Sequence, residues 1–135
     1  MIITKKRVTE QKRTSHTATL FGLNFPMRLE PAVYGLTENI SEDYSGGYWD
    51  FWELSNGGFY MSPSSQNKFK VSCMNDYAGE MSADALGITA CLYAYSHLSF
   101  GPESRFTDDC ARHFHLLRDY ALDHIEGLAI MMAID

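Results

Sequence analysis

The sequence has no apolar run long enough to cross a bilayer, which takes about 20 residues. Its longest uncharged stretch, Ala85 to Pro102, is broken by Thr89, Ser96, His97, Ser99 and two glycines, and reads as a buried helix. The start, Met1-Ile2-Ile3-Thr4-Lys5-Lys6-Arg7, places charge where a signal peptide needs its apolar region, so a cytoplasmic location is expected. Cysteine is scarce. Cys73, Cys91 and Cys110 are odd in number and lack close C-x-x-C spacing, which argues against a disulfide framework and fits small buried hydrophobes in a reducing compartment. Ten glycines and four prolines are too few for a collagen-like or low-complexity chain.

What is present suits one globular domain. The chain has 135 residues, 45% of them hydrophobic, close to the usual domain of roughly 100–150 residues with about 45–50% apolar content. A domain of this size buries roughly two thirds of the surface its unfolded chain exposes, so it needs no metal or disulfide staple.

Charge is uneven. Residues 1–13 carry Lys5, Lys6, Arg7, Lys12 and Arg13 against Glu10, a net of +4, while residues 14–135 carry six basic against sixteen acidic side chains, a net of −10. Residues 1–15 are expected as a solvated, partly disordered basic arm ahead of a single domain, 16–135. Duplex DNA carries one charge per roughly 1.7 Å, so a mimic about 35 Å long needs about 20 ordered negative charges on one face. Seventeen acidic residues scattered among eleven basic ones fall short of that, which excludes wholesale DNA mimicry. Repulsion from the acidic body also argues against stable duplex binding. The arm supports one rival function, a nucleic-acid-binding accessory protein.

Periodicity predicts α+β architecture. Pro31 opens a short helix carrying Ala32, Val33, Leu36 and Ile40. Gly46-Gly47 is turn chemistry, and the aromatic run Tyr48 to Leu54, the turn Asn56-Gly57-Gly58 and Phe59-Tyr60-Met61 predict a hairpin. Lys68 to Cys73 alternates, with Phe69, Val71 and Cys73 facing inward, and completes a three-stranded antiparallel meander packed with about four helices. Ser82 caps a central helix that Gly101-Pro102 ends. Thr107 is expected to cap the next, whose stripe is Cys110, Phe114, Leu117, Ala121, Ile125 and Leu128; Gly127 is expected to break it.

Chemistry-bearing motifs are thin. Cys110 and His113 share a helix face, but His115 lies about 200° from His113, so no four-ligand metal site forms. His115 and His124 are expected at exposed positions. No G-x-S-x-G elbow, Cys/His signature or P-loop occurs, and no catalytic residue, metal or cofactor is expected.

The run Asp43-Tyr44-Ser45-Gly46-Gly47-Tyr48-Trp49-Asp50-Phe51-Trp52-Glu53-Leu54-Ser55-Asn56-Gly57-Gly58-Phe59-Tyr60-Met61-Ser62-Pro63 closely resembles the signature of the ArdB/KlcA antirestriction proteins. Val33-Tyr34-Gly35, Ser82 to Ile88 and His115 to Ala121 are similar to the same family, so the likeness spans roughly residues 20–135. It implies a small cytoplasmic α+β protein carried by plasmids, phages or genomic islands, which protects incoming DNA from type I restriction-modification without catalysis or a cofactor. The implied partner is the restriction enzyme or an associated host factor. Asp43, Tyr44, Trp49, Trp52 and Tyr60 are the partner-binding residues expected from this signature, with Gly46, Gly47, Asn56, Gly57 and Gly58 as turn-formers. The resemblance implies a helix-breaking proline in many members of the family where this chain has Ile125, so its last two helices are expected to run on as one.

Overall fold

A computed structural model describes residues 2–135. Two short strands, β1 (Lys5–Arg7) and later β2 (Trp49–Leu54), pair antiparallel, and β2 pairs in turn with β3 (Phe59–Pro63), giving the sheet order β1-β2-β3. The hairpin is the expected one, with Trp52 opposite Tyr60. The third strand is not. Lys68–Ser72 forms β4 in a separate two-stranded sheet with β5 (Ala78–Ser82). Ala78-Gly79-Glu80 has none of the β-branched or aromatic content that marks a strand, so β5 is held by its partner rather than by propensity.

The basic segment expected as a solvated arm instead supplies β1 at the sheet edge. Its three side chains stay exposed while its backbone joins β2, and Val8, which follows, is buried and donates its N–H to the Phe51 carbonyl at 2.8 Å.

The helices are α1 (Arg13–Phe21), α2 (Glu30–Ile40), α3 (Ala83–Ser99), α4 (Arg105–Leu122) and α5 (Gly127–Ile134). A π turn, Phe25–Leu29, leads into α2, with Glu30 N–H bonded to the Phe25 carbonyl. Pro31 has no N–H to offer four residues back, and a widened turn just before it relieves the break. Apolar nearly all round, α3 forms the centre, packed by α4, β3, α2 and α5. Ser82 caps it as expected, accepting from Ala85 N–H at 3.1 Å. For α4 the cap is Ser104, one turn before Thr107. Thr107 returns the bond, its Oγ1 accepting from Ser104 N–H at 3.0 Å while Ser104 Oγ accepts from Thr107 N–H at 3.3 Å.

α4 and α5 are not continuous. The chain turns at residues 123–126, leaving Ile125 97% and Leu128 78% exposed, so the expected stripe ends with Ala121. Gly127 makes the corner: a Cβ there would lie 2.6 Å from the Ala121 carbonyl oxygen. Among the described residues, no helix is long and apolar enough to cross a membrane.

Candidate functional site

The signature residues divide into anchors and surface. Tyr60 and Trp49 are buried, at 0% and 3% exposure. Trp49 donates through Nε1 to the Tyr44 hydroxyl at 3.0 Å and packs edge-on to Tyr34 and Tyr44, pinning the loop that precedes β2. Asp43 is exposed, and Tyr44 and Trp52 are half-buried. Of the five, these three keep exposed surface. Gly46, Gly47 and Gly57 have φ of 95°, 117° and 93°, a backbone conformation that favours glycine. Asn56 ties the hairpin tip to α4: its Oδ1 accepts from Gly58 N–H and its Nδ2 donates to the Leu116 carbonyl, both at 2.9 Å. Gly58 packs closely there, since a Cβ would meet Leu54 at 3.0 Å and Leu116 at 3.1 Å.

Behind Trp52 lies a polar cluster that motif reading did not find. Asp84, in the first turn of α3, accepts at Oδ1 from the Tyr60 hydroxyl at 2.7 Å and from Lys5 Nζ at 3.1 Å. Its Oδ2 faces His124 Nε2 at 2.8 Å. His124 Nδ1 accepts from the Glu126 N–H at 2.9 Å, which assigns the ring proton to Nε2 and makes that nitrogen the donor to Asp84. Glu126 in turn accepts from both the Ser82 N–H, at 2.9 Å, and the Ser82 hydroxyl. Lys5 also sits 4.0 Å over the Trp52 ring, and Tyr60 stacks on Trp52 and Tyr120.

Burial alone would raise the Asp84 carboxyl. Hydrogen bonds from His124 and Tyr60, together with the Lys5 charge, outweigh it and hold the group at about 2. Burial beside that carboxylate pushes the Tyr60 phenol far above its ordinary range. His124, expected at the surface, is thus a clasp joining the α4–α5 corner to α3 and β1. Its partner lies 40 residues away in sequence, which is why no local pattern marks it.

Chemically this cluster binds its own members. Both ring nitrogens of His124 are engaged, and the Ser82 hydroxyl faces a carboxylate rather than an imidazole. The three cysteines are free and buried, and burial raises the thiols of Cys91 and Cys110 to about 12. Among the described residues, no three His, Cys, Asp or Glu converge as a metal site. His113 is buried with neither ring nitrogen hydrogen-bonded, between Phe21 and Tyr95.

The sequence pattern of the antirestriction proteins matches residues 42–135. The chain belongs to the antirestriction protein family. An antirestriction protein KlcA of Escherichia coli is 36% identical over 137 residues, covering 98% of this chain and 95% of that protein. YafX of Escherichia coli strain K12 is 42% identical over 110 residues, covering 79% of this chain and 70% of that one. A solved structure of the KlcA and ArdB proteins, described as a novel fold with antirestriction activity against Type I DNA restriction systems in vivo but not in vitro, superposes with a TM-score of 0.92 at 36% identity. That match covers 100% of this chain and 96% of the other. The antirestriction pattern includes the hairpin, Asp84, His124 and Glu126, while Lys5 lies ahead of it.

Proposed function

We propose that this protein relieves type I restriction of incoming mobile-element DNA by associating with a protein, either the restriction enzyme or a host factor, and neither catalyses a reaction nor imitates a duplex. The full-length match to the KlcA and ArdB fold carries this reading. Activity of those proteins in vivo but not in vitro favours, for this chain, a route that needs something the cell supplies. The site chemistry agrees with association: its thiols are held protonated and its histidine–carboxylate cluster is internally satisfied. Of the five residues expected to bind a partner, Asp43, Tyr44 and Trp52 have surface to offer one. The test is the plating efficiency of unmodified phage on hosts with and without a type I system, with and without this protein. Expression should raise plating in the restricting host alone. Equal plating with and without the protein sinks the reading. A pull-down of the restriction complex from the same cells separates direct from indirect action.

A further inference from the structure

A surface cavity of about 640 Å³ opens between the end of α2 and the β4–β5 hairpin. β4 has a strand on one side only. On its other side the Lys70 N–H donates to Asp43 Oδ2 at 2.8 Å, so a side-chain carboxylate stands where a neighbouring strand's carbonyl would be. Phe69 and Val71 are buried in the core while Lys68, Lys70 and Ser72 are exposed, so β4 holds to the core by one face and leaves the other open. Glu42, Asp43 and Glu80 line the cavity against a single cation, Lys70. Asn39 and Ile40 bring in the negative end of the α2 dipole, with no basic residue in that last turn to offset it.

We propose that this cavity docks a short, extended, basic segment of a protein partner, which pairs with the outer edge of β4. The incoming backbone carbonyl replaces Asp43 Oδ2 at the Lys70 N–H. The freed carboxylate, with Glu42 and Glu80, then takes the incoming Lys or Arg side chain. Backbone pairing gives position, and the excess of negative charge selects a basic peptide over a nucleic acid. The inference deepens the proposed function by naming what the partner presents, and it rests on that function for its biological consequence.

The probe is an acetylated heptapeptide of alternating Lys and Val, titrated into the full chain and followed by backbone amide NMR, with a Glu-Val counterpart as control. Amides of Lys68, Lys70, Ser72, Glu42 and Asp43 should shift saturably with the first peptide and not the second. Glu42→Lys combined with Glu80→Lys, both at exposed positions, should weaken binding by about tenfold or more. Asp43→Asn keeps an acceptor for the Lys70 N–H and should weaken it less. Shifts that are absent or confined to another surface overturn the proposal, as does an unchanged affinity in the double variant. Broadening of β4 amides on concentrating the chain alone assigns the edge to a second copy and also overturns it. Phage plating distinguishes the two failures: peptide binding without protection sinks the antirestriction function alone, whereas protection by the double variant equal to wild type sinks the docking site alone.

Discussion

His113 shows how one misplaced polarity sets a pH dependence. Its side chain is 1% exposed, its ring centroid lies 4.8 Å from that of Phe21 and 5.7 Å from that of Tyr95, and neither nitrogen has a hydrogen-bond partner. Burial, with smaller contributions from Arg112 and His16, lowers it from 6.5 to about 4. Between those values the unfolded chain takes up a proton that the folded one refuses, so stability is full above about pH 6.5, falls as pH drops towards 4, and levels off below. The loss is about 3 kcal/mol at 1.36 kcal/mol per unit. Asp84, held at about 2 against an ordinary 3.8, contributes stability above that ordinary value and loses it only further into acid, so the two windows separate. Urea unfolding at several pH values should show the fall between 6.5 and 4 in the wild type and lose it in His113→Leu, which also removes an unsatisfied polar group. A slope preserved in the variant would assign it elsewhere. Helical spacing placed His113 and Cys110 on one face, and both are buried. It could not show that α1 would bring Phe21 over the ring, because that contact joins segments about 90 residues apart.

At the level of elements, the interface of α3 with β3 depends on one missing side chain. A Cβ on Gly87 would fall 2.4 Å from the Met61 carbonyl oxygen and 2.5 Å from the Ser62 Cα, both backbone atoms. Gly87→Ala gains up to about 1 kcal/mol of helix propensity but forces helix and strand apart, at a cost of about 3 kcal/mol. The net is a destabilisation of about 2 kcal/mol, visible as a melting temperature lower by about 5–10 °C. Gly35 in α2 is the internal comparison, since its Cβ would meet nothing within 4 Å. Gly35→Ala should therefore stabilise by about 0.5–1 kcal/mol. Calorimetry that found the same sign for both would refute this account of the interface. Elements were legible where local chemistry sufficed: the Asn56-Gly57 hairpin, the Ser82 cap and the alternating Lys68–Ser72 strand. They were not where a partner decides. β5 lacks strand residues and is defined by β4, β1 is a charged tripeptide defined by the edge of β2, and the start of α4 was misplaced by one turn because Ser104 and Thr107 are both capping residues and the reciprocal bonds decide between them. Of the candidate site, the aromatic anchors were visible as composition, but the Asp84–His124–Glu126 clasp joins α3 to the α4–α5 corner and has no local trace.

Across the whole molecule, the basic start is spent largely on the protein itself, and this limits what it can do to a nucleic acid. Lys5 meets Asp84 at 3.1 Å and Arg7 meets Asp50 at 3.5 Å. Arg13 stacks on Tyr48 and Phe51 and donates to the Trp49 carbonyl at 2.7 Å. Lys6 and Lys12 are the members of this group whose side chains have neither a salt bridge, a hydrogen bond nor an aromatic ring to hold them among the described residues. Two phosphate contacts give a slope of log affinity against log salt of about −1.8, at roughly −0.9 per contact. The chain as a whole, at a net charge of −6, adds repulsion rather than contacts. Fluorescence anisotropy with a duplex of about 20 base pairs should therefore show no saturable binding near physiological salt, and at low salt any binding should have a slope no steeper than about −2. A slope of about −4 or beyond, abolished by Lys6→Glu with Lys12→Glu, would establish the nucleic-acid-binding alternative. Both side chains are exposed and stand outside the Asp84–His124–Glu126 clasp, and the carboxylate that Lys6→Glu sets opposite Glu53 at the sheet edge costs about 1 kcal/mol or less, so protection of unmodified phage should survive them even as any residual DNA affinity disappears.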